Sequence, residues 1–121
     1  VAIHNQRFGR RGEDAAAEWY RNAGYRIVDR NWRCPRGEID LVVVDDNTVV
    51  FVEVKARTSG RYGSGFDAVD HRKQRRLRRL AALWLADRRS DRGEAGFYPD
   101  LQFDVVEVDP RGNLRIRRGC F

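Results

Sequence analysis

Apart from its turn, the stretch 37–57, GEIDLVVVDDNTVVFVEVKAR, is apolar except at Glu38, Asp40, Glu53, Lys55 and the closing arginine. Asp45, Asp46, Asn47 and Thr48 are turn formers between two runs of β-branched residues, which predicts two strands joined by a tight turn. Alternation places Glu38 and Asp40 on one face of the first strand and Ile39, Leu41 and Val43 on the other. On the second strand Phe51, Glu53 and Lys55 share a face, and Val50, Val52 and Val54 share the opposite one. A pairing that sets Asp40 beside Glu53 gathers two or three carboxylates and one ammonium around a point. Carboxylates held together repel, and partial burial adds to the cost. A hard divalent cation of the Mg²⁺ type, which takes carboxylate oxygens as ligands, removes that cost. Lys55 would then sit beside the metal, near any water or phosphate bound there. The alternative is a solvated sheet face with cross-strand ion pairs.

The rest of the chain must hold this hairpin. A helix is expected over 5–23, with Ala16, Trp19, Tyr20 and Ala23 as its apolar face and Gly24 as its stop. Glu13 falls on the sheet-facing side of that helix; as a first-turn acid it also suits the helix dipole. A strand is expected over 25–31, with Tyr25 and Ile27 on one face, and a turn over 32–37. After the hairpin, 58–65 (TSGRYGSG) is a glycine-rich connection that leaves from the Lys55 end. A second helix is expected over 68–88, with Asp67 and Asp70 as cap and Leu77, Leu80, Ala81 and Trp84 buried. Lys73 and Gln74 point from its first turns toward the sheet, and Arg72, Arg75, Arg78 and Arg79 point outward. A loop over 89–98, strands over 101–108 and 114–118, and a turn at 109–113 complete the order. Helix, three strands, helix and two strands suit an α/β sandwich on a mixed sheet.

The 121 residues are the size of one domain, 1–121, with one modest core. No apolar run approaches the ~20 residues that span a membrane, and no signal-peptide pattern opens the chain, so a soluble, cytoplasmic protein is expected. Cys34 and Cys120 lack metal-ligand spacing and read as reduced thiols, with one disulfide between them left open. His4 and His71 have no partners for a zinc site or a triad. Gly63-Ser64-Gly65 lacks the lysine of a phosphate loop. The net charge is +6, from 24 basic and 18 acidic residues. Residues 71–89 hold eight basic residues and one acid, a net +7, so one segment carries the whole excess. A basic patch that localised points to a polyanion partner. Arginine outnumbers lysine 22 to 2, and the two lysines, Lys55 and Lys73, both fall where a compact point charge would be used.

A carboxylate on one strand followed by Glu-x-Lys on its hairpin partner, here Ile39-Asp40 and Glu53-Val54-Lys55, resembles the PD-(D/E)xK nucleases, with the proline absent. The element order resembles the restriction-endonuclease-like αβββαβ core, a mixed sheet flanked by helices. More narrowly, nearly the whole chain resembles the YraN family of uncharacterised bacterial proteins. That resemblance rests on Gly9, Gly12-Glu13 with Ala16, Gly24-Tyr25, Asn31, and the run from Gly37 through Glu38, Ile39 and Asp40 to Leu41. It continues in Phe51-Val52-Glu53-Val54-Lys55 with Arg57, in Lys73, in Phe103-Asp104 and in Phe121. The site layout is also similar to that of archaeal Holliday junction resolvases. The resemblance implies a metal-dependent endonuclease that hydrolyses DNA phosphodiesters, branched or otherwise unusual structures included. It implies Mg²⁺ or Mn²⁺ held by Asp40, Glu53 and the Val54 carbonyl, with Glu13 reaching the metal directly or through water. Lys55 would orient the attacking water and steady the transition state. Lys73 and Gln74 would support the site, and Glu38 would be an outer carboxylate or a partner of a helix arginine. Arg57, Arg72, Arg75, Arg76, Arg78 and Arg79 would contact nucleic acid, and a homodimer would cut both strands. The competing reading is a nucleic-acid-binding module on a nuclease scaffold that does not cut.

Overall fold

Residues 41–44 and 49–52 are apolar at every position, a pattern that fits strands covered on both faces. The computed structural model shows that arrangement. It describes residues 2–56, 71–92 and 100–121, with side chains for 11–56, 71–88 and 100–121. The order is α1 (Ala2–Asn22), β1 (Arg26–Cys34), β2 (Gly37–Val44), β3 (Thr48–Ala56), α2 (His71–Arg92), β4 (Asp100–Val108) and β5 (Leu114–Arg117). The five strands lie side by side in sequence order. Pairing is antiparallel except between β3 and β4, which are parallel and connected through α2. The result is an α/β fold with a mixed sheet, compatible with the restriction-endonuclease-like core.

Each helix covers one face. Leu41, Val43, Val50, Val52, Val106 and Val108 pack against Ala16, Ala17 and Tyr20 of α1. Val42, Val44, Val49, Phe51 and Phe103 pack against Leu80, Ala81 and Trp84 of α2. Two polar ties fix α2 to β1. Trp84 Nε1 donates to Asp29 Oδ2 at 3.0 Å, and Arg88 donates to the Val28 carbonyl at 2.9 Å while its guanidinium covers the Trp84 ring.

Several boundaries differ from the sequence reading. The inward face of α1 uses Ala17, which is fully buried, whereas Ala23 is exposed beyond the helix end. There Gly24, at φ +97°, donates to the Arg21 carbonyl and Tyr25 donates to the Tyr20 carbonyl. Those two bonds form a Schellman stop, which favours glycine at the left-handed position. Strand β1 runs three residues further than expected, to Cys34, because Trp32 and Cys34 join the core under α2. The turn that follows is only Pro35-Arg36. Helix α2 continues to Arg92, so residues 89–92 are not loop. The loop at 58–65, the caps Asp67 and Asp70, and Arg57 lie outside the described residues. Cys34 and Cys120 are free thiols.

Candidate active site

The site begins with a break in alternation. Leu41 packs toward α1, yet Ile39, two residues earlier, packs toward α2. The expectation that Ile39 shares a face with Leu41 and Val43 is therefore corrected. The neighbouring strand changes phase at the same rung: Arg30 meets Asp14 of α1 at 2.5 Å, whereas Trp32 packs under α2. The rung between Arg30–Leu41 and Trp32–Ile39 holds Asn31 and Asp40. Asn31 has φ +52°, a left-handed conformation that asparagine tolerates better than most residues. One left-handed residue thus re-aims two strands and turns Asp40 toward β3.

Register places Asp40 and Glu53 as the sequence predicts. The β2–β3 ladder ends at Leu41–Val52, and the next rung would hold these two acids. In place of a ladder bond, the Val54 amide donates to Asp40 Oδ2 at 2.8 Å. Burial pushes the Asp40 carboxyl up to about 6; the Val54 bond opposes this, and Glu13, Glu53 and Glu38 add to it. Glu53 lies on the α2 side of β3, and its Oε1 meets Lys73 Nζ at 2.7 Å. Its Oε2 is buried and accepts no hydrogen bond among the described residues. Lys55 follows on the same face. Burial and the adjacent Lys73 lower its pKa, against the pull of Glu53 and Glu107. Lys73 and Gln74 are half-buried, as their helical positions predict.

Glu13 reaches the group from the other face. Its approach depends on Gly12, where a Cβ would meet Val108 Cγ2 at 3.2 Å and Val54 Cγ1 at 3.6 Å. The missing side chain lets α1 come close to the ends of β3 and β4. Gly12→Val should therefore overpack the contact, cost about 1–3 kcal/mol and move Glu13 away from Asp40. A chemical-denaturation midpoint no lower than that of the parent protein would refute this.

Glu38 is exposed and pairs with Arg33, its partner across β1, at 3.1 Å. Among the described residues its partner is a strand arginine and not a helix arginine. Arg72, Arg75, Arg76, Arg78 and Arg79 are all exposed on α2. Arg78 differs from the others in that its guanidinium lies over the Phe121 ring.

One residue escaped the sequence reading. Glu107 on β4 is only 2 % exposed and is the register partner of Lys55. The signal was a charged residue among valines in a strand buried on both faces, a position Asp104 shares on the same strand.

Asp40, Glu53 and Val54 open into a cavity of about 400 Å³ with Glu38 and Arg76 at its edges. Its apolar wall is Ile39, Leu77, Phe103 and Phe121. Phe121 stacks on Phe103 at 4.8 Å, and Phe103 on Phe51 at 5.5 Å. Among the described residues no three acidic, histidine or cysteine side chains close into one metal-ligand group. A cation would therefore be held by two carboxylates, Asp40 and Glu53, which is a common protein share for Mg²⁺. The orphaned Glu53 oxygen and the raised Asp40 both fit such an ion.

An α/β sheet with carboxylates and lysines gathered at the open end of its central hairpin defines the class of protein. Residues 12–108 match the model of Uncharacterised protein family UPF0102, and the chain belongs to that family. A UPF0102 protein of Symbiobacterium thermophilum is 49% identical over 93% of this chain and 91% of its own length. One of Parafrankia sp. is 46% identical over 97% of this chain and 98% of its own. A third, of Renibacterium salmoninarum, is 57% identical over 83% of this chain and 80% of its own. The resemblance to the YraN family is thereby borne out. Among the described residues no helix is long and apolar enough to cross a membrane.

Proposed function

We propose that the protein is a metal-dependent endonuclease that hydrolyses phosphodiester bonds in DNA, including branched or otherwise unusual structures. One observation carries the reading: Glu53 Oε2 is buried without a hydrogen-bond partner among the described residues, beside an Asp40 whose carboxyl is pushed up to about 6. Five carboxylates, Glu13, Glu38, Asp40, Glu53 and Glu107, share the electrostatics of the place with two ammoniums, Lys55 and Lys73, and Glu38 is taken up by Arg33. The formal balance of −2 is what a divalent cation neutralises. Bound at Asp40 and Glu53, Mg²⁺ or Mn²⁺ would supply a water of lowered pKa and polarise a phosphoryl oxygen.

The protein's own groups do the rest. The Val54 amide holds Asp40 in place, and Lys73 holds Glu53. Lys55, on the same strand face as Glu53, supplies positive charge where a pentavalent phosphorus would carry extra negative charge. Gln74, half-buried on α2, would touch the phosphate or support the site. Glu13 biases the proton affinity of Asp40 from the α1 side. The apolar wall keeps part of the cavity dry, which strengthens each of these interactions. Two cuts in a duplex require two such sites, so the proposal for duplex substrates includes a homodimer.

The exposed arginines of α2 also suit a second reading, a nucleic-acid-binding module that does not cut. Plasmid, single-stranded, flap and four-way-junction DNA incubated with Mg²⁺ and then Mn²⁺ separates the two. Asp40→Ala and Lys55→Ala run alongside. Cleavage by the parent protein that both variants lose is the expected result. Binding without cleavage by any folded preparation would replace the nuclease with the binding module.

A further inference from the structure

We propose that a trough of five arginines beside the carboxylate cavity is the track for the backbone of the strand whose phosphate enters that cavity. This rests on the nucleic-acid reading above and adds where the flanking strand lies. The trough encloses about 460 Å³ and is lined by Arg36, Arg72, Arg75, Arg76, Arg79 and Leu80.

Two separate elements build it. Arg72, Arg75, Arg76 and Arg79 follow i, i+3, i+4, i+7, so they form one stripe on α2. Arg36 comes from the turn between β1 and β2. That turn is seated on α2, since a side chain at Gly37 would meet Leu80 Cδ1 at 3.3 Å. Both walls are therefore fixed.

Among the described residues no acid lines the trough. Glu38, two residues from Arg36, is engaged by Arg33 instead. Like charges around one space repel, whereas a merely solubilising face mixes signs. The planar guanidinium fork matches phosphate oxygens and requires no base-specific contact. Arg78 is not in the lining and sits over Phe121, so the trough is narrower than the basic helix as a whole.

Position and length fix the assignment. Arg76 lines both the trough and the carboxylate cavity, so the two spaces adjoin. From Arg72 to Arg79 the helix rises about 10 Å, long enough to run beside consecutive phosphates of one strand. A phosphate over Asp40 and Glu53 would have its next neighbours among the arginines.

The test is binding of a labelled single-stranded DNA, followed by fluorescence anisotropy in EDTA between about 50 and 200 mM salt. Arg36→Gln with Arg72→Gln removes two trough charges. Arg115→Gln with Arg117→Gln removes two charges from β5, at the other edge of the sheet. Losing two phosphate contacts should reduce the salt slope by about 1.4 and lower affinity about tenfold or more near 100 mM. The β5 pair should leave both close to the parent values. Equal losses in the two pairs, or none in the trough pair, would overturn the assignment. Because no metal is present, this result is independent of cleavage. A parent protein that binds through the trough and never cuts keeps the trough and removes the nuclease. One that cuts while the trough pair binds unchanged does the reverse.

Discussion

Asp40→Asn should abolish cleavage and yet make the metal-free protein more stable. On the proposed nuclease reading, losing this metal-holding carboxylate would remove several kcal/mol of transition-state stabilisation, about a thousandfold or more in rate. The gain in stability comes from the same carboxylate. Its pKa is raised from 3.8 to about 6, chiefly by burial. A raised carboxylate pKa means that the fold prefers the neutral form. Its contribution to stability is fully present below the unfolded value and is lost as pH rises through about 6. Above that range the charged form costs the fold up to about 3 kcal/mol. Asparagine keeps an oxygen for the Val54 amide and carries no charge. In EDTA at about pH 8 the variant should resist urea better than the parent, and the difference should shrink as pH falls below about 6 and vanish only below the unfolded value of 3.8. Mg²⁺ should raise the melting temperature of the parent in proportion to the logarithm of its concentration, and should not move that of the variant. A variant less stable than its parent at the higher pH would show that Asp40 is not held against its preference.

Why the site was readable while its framing was not follows from the same residues. Asp40, Glu53 and Lys55 were legible because charges interrupt strands that are otherwise apolar at every position. The register that sets Asp40 opposite Glu53 follows from a short turn. Lys73 was legible because helical periodicity alone aims it at the sheet, where it meets Glu53. Strict alternation failed at Ile39, since one left-handed residue on the neighbouring strand, Asn31, changes the phase of both. Nothing local in the sequence announces that. The end of β1 was misjudged for a related reason. Trp32 and Cys34 look like part of a Pro-Gly turn until α2 is laid over them. Glu107 was overlooked because its meaning depends on the parallel pairing of β4 with β3, a contact between segments about fifty residues apart. Local pattern finds side chains that contradict their own strand. It does not find those defined by a distant one.

Asp104→Ala should be strongly destabilising, and it should leave the chemistry nearly untouched. Asp104 is 1% exposed on β4 and accepts four hydrogen bonds. Tyr20 of α1 donates at 2.6 Å, Gln102 at 2.9 Å, Arg118 at 3.3 Å and the Gly119 amide at 2.9 Å. Burial and the bond to Asp104 push the Tyr20 phenol far above its ordinary value. Arg118 also reaches the Tyr25 hydroxyl and lies over the Trp19 and Tyr25 rings. One carboxylate therefore ties α1, β4 and the segment after β5 together. Truncating one partner of a buried charged pair costs about 3–5 kcal/mol. The Arg118 side chain is 40% exposed and can be rehydrated, so the loss should lie near the lower end of that range. The Tyr20 hydroxyl has no such recourse. Tyr20→Phe alone should cost about 1 kcal/mol, because Asp104 keeps three donors. Combining the two changes should cost less than their sum by about 1 kcal/mol, since the phenylalanine leaves no hydroxyl to orphan. Strict additivity would mean that Tyr20 and Asp104 act separately. Asp104 borders the cavity, but its oxygens are already occupied by these donors. Cleavage per folded molecule, measured well below the lowered melting temperature, should therefore match that of the parent, whereas Asp40→Asn fails while fully folded.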